Sequence, residues 1–215
     1  MYFMFGTGQS YSDIWTVNGN VAATVLVSMT LYGVFMTTAS LATNAALERT
    51  SGISRLYATT PLSPIANTCA RIGASMGIAV VITGITYAVG AATGAKMYAS
   101  AWIQTPLLIL ASSILASAQG LAMAFAVRSD GAFAASSAVT VFSGFLSGMF
   151  IPISQMGSFF QAVAPYAPMY GITSLVQLPL YGWETFKWSY VVNLVAWTLF
   201  FILLAAWAQR RDTSR

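Results

Sequence analysis

Five stretches of this chain run on without a single Asp, Glu, Lys or Arg: about Val21 to Ala46, Ile72 to Thr93, Ser100 to Val127, Ala132 to Ile153 and Tyr190 to Ala208. A helix needs about 20 mostly apolar residues to cross a bilayer. The hydrocarbon holds no water, so every backbone N–H and C=O must be paired within the segment. With 57% hydrophobic and only 7% charged residues, the chain also lacks the charge to solvate a soluble surface. The expected fold is an all-α integral membrane protein with five full transmembrane helices, forming a single domain over residues 1–215. A sixth apolar region, about Phe159 to Leu180, carries Pro165, Pro168 and Pro179. Proline removes a backbone donor and breaks helices, so residues 154–186 are expected to form short broken helices in a hairpin near one surface.

The basic residues orient these spans. Arg49, Arg55, Arg71, Arg128, Arg210, Arg211 and Arg215 fall on one side, and only Lys96 and Lys187 fall on the other. The positive-inside rule puts the seven-residue side, with the carboxyl terminus, in the cytoplasm, and residues 1–20 and the hairpin outside. The sides alternate consistently through all five spans.

Much chemistry is excluded. With Cys69 as the single cysteine and no histidine, the chain has no internal disulfide and no ordinary Cys/His metal site. The net charge of +4 forms no basic stripe, so nucleic acid is not an expected partner. "GAATGAKM" at 90–97 has Ala95 and Met97 where a phosphate-binding loop needs Gly and a hydroxyl, so the chain has no ATP site of its own. Glu48, Asp130 and Glu184 fall in separate loops and make no catalytic pair; no catalytic or metal-binding residue is expected. The start, "MYFMFGTGQSYSD", has no basic n-region and is no secretory signal. Gly73 and Gly77, and Gly144 and Gly148, are spaced to share a helix face, which predicts ordinary close packing within the chain.

The segment "ALERTSGISRLYATTPLSP", at 46–64, concentrates three charges between two apolar runs. Ile53, Leu56 and Tyr57 recur at helical spacing while Glu48, Gly52 and Arg55 share another face, and Pro61 and Pro64 disfavour further regular helix. The pattern predicts a short amphipathic helix along the membrane. Two roles fit it: meeting anionic headgroups, or docking on a cytoplasmic partner.

"ERTSGISRLYATTPLSP" also resembles the cytoplasmic loop of ABC-2 type permeases, the membrane subunits of one class of ATP-driven exporters. The later segment "SGMFIPISQMGSFFQAVAPYAPMYGITSLVQLPLYG" is similar to that family's fifth helix and following extracellular hairpin. The resemblance implies a permease in a bacterial or archaeal plasma membrane, paired with a second permease copy and with a separate ATPase subunit that holds the ATP and Mg. It implies that Glu48, Arg49, Gly52, Arg55 and Leu56 form the coupling helix on that ATPase, with Arg128 and Asp130 in the "VRSDG" turn as a second contact. It assigns Met149, Phe150, Pro152, Phe159, Phe160, Pro165, Pro168 and Tyr170 to an exit gate, although an interfacial aromatic belt would use the same residue types. The family usually has six spans, and "MYFMFG" resembles the outer end of a missing or truncated first helix.

The function this implies is ATP-driven export of a hydrophobic, drug-like or lipid-like substrate. An ion-coupled transporter or channel, or a non-transporting scaffold or immunity protein, stands as the alternative.

Overall fold

The computed structural model describes residues 16–50, 64–127 and 130–213, and these are helical apart from turns and one isolated bridge. The long helices are α1 (Val21–Thr50), α2 (Pro64–Ala92), α3 (Ala99–Ala126) and α7 (Trp188–Thr213), and each is long and apolar enough to span a membrane. Pro64 sits at the first position of α2, where its missing N–H costs nothing. Beyond "TTP" a long helix therefore restarts, rather than an irregular segment.

The fourth expected span is shorter than its apolar run. Helix α4 (Asp130–Leu146) has 17 residues and is about 25 Å long at 1.5 Å per residue. It stops at Leu146 because Gly148 takes φ +77°, which a right-handed helix cannot contain, and a Cβ there would strike the Ile153 side chain. Gly144 and Gly148 thus do not share a helix face as their spacing predicted. The chain continues through a 3₁₀ turn (Ile153–Gln155), α5 (Ser158–Val163), a second 3₁₀ turn (Ala164–Tyr166) and α6 (Tyr170–Tyr181), before Trp183–Thr185 leads into α7.

Helix α3 is the hub and touches α1, α2, α4, α6 and α7. Its contact with α1 depends on the absence of a side chain at Gly120, where a Cβ would strike the Ala39 carbonyl. The core around it is built from Leu26, Leu31, Phe35, Ile109, Leu115, Met169, Ile172 and Val176. Among the described residues nothing approaches a Cβ built at Gly73 or Gly77, so this pair does not make the close intrachain packing expected of it.

Trp188 and Trp207 are both exposed on α7. Nineteen residues apart, they lie about 28 Å apart along the helix, close to the thickness of a hydrocarbon core, with their rings suited to its two boundaries. Lys187 precedes the first and Arg210 follows the second. The hairpin end of the bundle holds Trp188, Lys96 and the broken segment. The opposite end holds Glu48 and Arg210, and there Ala45, Ala46, Ala124 and Ala132 pack the ends of α1 and α3 against the start of α4.

Candidate functional site

At membrane depth an interrupted helix must find partners for its freed backbone groups, and the hairpin end supplies them from side chains. Asn193 of α7 accepts from the Gly171 N–H (3.1 Å) and donates to the carbonyls of Pro165 (2.9 Å) and Ala167 (3.2 Å). One helical turn further along α7, the Trp197 indole donates to the Tyr166 carbonyl (3.0 Å). Gly171 allows this approach, since a Cβ there would meet the Tyr190 carbonyl. Asn193 and Trp197 lie five and nine residues inside Trp188, so the turn before α6 sits about 8–13 Å in from the tryptophan boundary. From there α6 climbs back toward the hairpin end. It is re-entrant and buried along Gly171, Ile172, Thr173, Val176, Leu178, Pro179 and Leu180. The expectation of broken helices holds, but this half is packed into the bundle instead of lying near a surface.

The other end of α6 is tied down as well. The backbone N–H of Asn18 donates to the Leu180 carbonyl (2.9 Å), and its side chain donates to that of Pro179 (3.0 Å). Asn20 caps α1 through its Oδ1, which accepts from the N–H groups of Ala23 (2.9 Å) and Lys96 (3.1 Å), while its Nδ2 donates to the Gly94 carbonyl (2.9 Å). Residues 16–20 therefore clasp α6 to the α2–α3 turn.

The eight residues expected at a gate fall into three groups. Met149 is buried, and Phe150 lies edge-on to Tyr32 of α1 (5.1 Å) and against Phe145 (4.9 Å), closing the gap left where α4 stops. Pro152 precedes the first 3₁₀ turn; Phe159 and Phe160 pair with each other at 5.6 Å and are exposed. Pro165, Pro168 and Tyr170 belong to the turn held by α7, and Tyr170 packs edge-on against Tyr190 (5.7 Å). The residue that follows α4 is tied to α6, as the Ser147 hydroxyl accepts from Thr173 (3.3 Å).

Of the expected coupling residues, Glu48 and Arg49 extend α1, with Glu48 half-buried, and Asp130 opens α4 at the same end. Gly52, Arg55, Leu56 and Arg128 lie outside the described residues, as does most of the 46–64 loop.

Sequence reasoning missed Asn193, Asn18, Asn20, Tyr32 and Gln177, which donates to Ser28 of α1 (3.1 Å). A signal was present for Asn193: it is the only amide inside the Tyr190–Ala208 run, and polar groups in membrane helices face protein partners. The interior has further polar pairs, Ser75 with Ser117 (3.3 Å), Tyr87 to Thr105 (2.8 Å) and Gln119 to Thr140 (2.7 Å). Among the described residues no cluster of three His, Cys, Asp or Glu side chains comes together.

Such a bundle, with long spanning helices around a short helix packed among them, is the architecture of a multi-pass membrane protein. Residues 12–207 match the model of a family described as ABC-2 family transporter protein. The chain belongs to that family, as an ABC-2 type permease. No protein of curated function matches it.

Proposed function

We propose that the chain is the pathway-forming subunit of an ATP-driven exporter, powered by a separate ATPase and working with a second permease copy on a hydrophobic, drug-like or lipid-like substrate. The observation that carries this reading is the family match along 12–207, in a chain whose hairpin end holds a re-entrant helix roofed by aromatic side chains. Lys96 and Lys187 lie at the hairpin end, and Arg49 and Arg210 at the other. That sorting supports an external hairpin and a cytoplasmic carboxyl terminus. ATP and Mg belong to the ATPase. Its binding of ATP would draw the 46–64 loops of two permeases together, and the movement would reach the hairpin end through α1, which joins Glu48 at one end to the Asn20 cap at the other.

The test is transport in vesicles containing the permease and its cognate ATPase. Charge reversal at Glu48 or Arg55 is expected to weaken ATPase association and transport while leaving membrane insertion intact; unchanged pull-down together with unchanged transport would remove the docking role. Replacing Phe159 and Phe160 together by Ala is expected to lower efflux several-fold while ATPase binding persists. Equal loss of both would assign the pair to folding.

A further inference from the structure

We propose that the cleft between α6 and the start of α7 binds a neutral, polyhydroxylated group of the sugar or glycerol type, entering from the hairpin end. The cleft has a volume of about 220 Å³ and is lined by Ser174, Gln177, Leu178, Tyr181, Thr185 and Tyr190. All but Leu178 carry a hydroxyl or an amide, and none carries a charge. Tyr170, Ser174, Gln177 and Tyr181 stand at spacings of four, three and four, so they share one face of α6. The opposite face, with Ile172, Val176 and Leu180, is buried in the bundle.

That polar row climbs from membrane depth to the boundary and is only partly covered: Ser174, Gln177 and Tyr190 are half-buried, and Tyr181 is exposed. Ser174 and Tyr190 hydrogen-bond Tyr170, and Gln177 donates to Ser28, so the row is held in place and offers a ligand its remaining hydroxyl and amide capacity. A ligand that is itself rich in hydroxyls suits that row, because it both donates and accepts. Phosphate or carboxylate ligands fit poorly, since among the described residues no Lys or Arg lines the cleft to offset their charge. The volume lies below the roughly 300–1,000 Å³ of pockets for drug-sized molecules, which limits the occupant to a single head group or ring. Tyr181 and Tyr190 add apolar ring faces beside polar tips, an arrangement suited to a ring with both C–H and O–H edges. This inference is independent of whether the chain exports anything.

The test uses the full chain in phosphatidylcholine nanodiscs doped equally with a monoglucosyl diacylglycerol and phosphatidylserine, with retained lipid read by native mass spectrometry. Enrichment of the glucosyl lipid over phosphatidylserine is expected, falling at least several-fold in a Ser174→Ala, Tyr181→Phe double variant. Gln177→Leu is expected to have the same effect; because Gln177 also bonds Ser28, the double variant decides if Gln177→Leu fails to fold. Displacement of the glucosyl lipid by free glucose would show that the head group alone is recognised, and failure of displacement would show that the lipid-borne form is. Equal retention of the two doped lipids, or enrichment unchanged in the double variant, would overturn the proposal.

Discussion

Helices α3 and α7 lie side by side, and their sequences invert what a soluble protein would lead one to expect. The α7 span is the more apolar, yet 11% of it is buried, whereas 61% of the α3 span is. Helix α7 turns Val192, Leu199, Phe200, Ile202 and Leu203 outward; α3 buries Ser112, Ser113, Ser117, Gln119 and Gly120. Lipid tails are as apolar as Leu, so large apolar side chains gain nothing by leaving them, while small residues and hydroxyls gain close contact and hydrogen bonds by facing other helices. Of these two helices, the one that a hydropathy scale scores lower is the one in the interior.

Several substitutions would break or sharpen that contrast. The largest effect is expected from Gly120→Val, which forces α3 off the Ala39 carbonyl; overpacking of this kind costs about 1–3 kcal/mol and sometimes more. Loss of a monodisperse peak in detergent would report it, with Leu203→Ala on α7 unchanged as the control. Equal behaviour of the two variants would refute the division into interior and lipid faces. Next, Asn193→Leu makes α7 still more apolar but strands the Pro165 carbonyl and the Gly171 N–H, each orphaned group costing about 1–3 kcal/mol. Thermal unfolding is expected to fall, with protease cleavage in 153–169 rising; a stability gain would mean that the amide is dispensable. The smallest effect belongs to Gln119→Met. The Gln119 Oε1 is buried without a partner among the described residues, and helix-to-helix hydrogen bonds in membranes average about 0.6 kcal/mol. Losing the bond to Thr140 while removing an orphaned acceptor is expected to shift the melting temperature little in either direction.

How much was legible in the sequence follows the same physics. Long apolar runs without charge located α1, α2, α3 and α7, because crossing the hydrocarbon is a requirement each helix meets alone. The same rule overran α4: its apolar run continues through "SGMFI", and only the positive φ at Gly148 ends the helix. Proline placement foretold the breaks in 153–169 but not that α6 is buried, since Pro179 sits in the last turn of a regular helix, where its own carbonyl has no helical partner and accepts from Asn18. Among the residues expected at a gate, Phe150 and Tyr170 are named only through the family resemblance of their segment. Their partners Tyr32 and Tyr190 lie in spans that read as plain membrane helix, and such pairings are set by tertiary packing that spacing within one segment does not encode.

The clasp at Asn18 also bears on the order in which the protein can be made. Its bonds to Pro179 and Leu180 join residues about 160 positions apart, so at 5–20 residues per second translation needs about 8–30 s to supply the second half after the first. Until then the Asn20 cap, which uses Ala23, Gly94 and Lys96, has all its partners synthesised, while the side chain of Asn18 lacks its own. Residues 18–20 thus hold one set of partners about 75 positions away and another about 160 away, and the second set cannot close until α6 has been made.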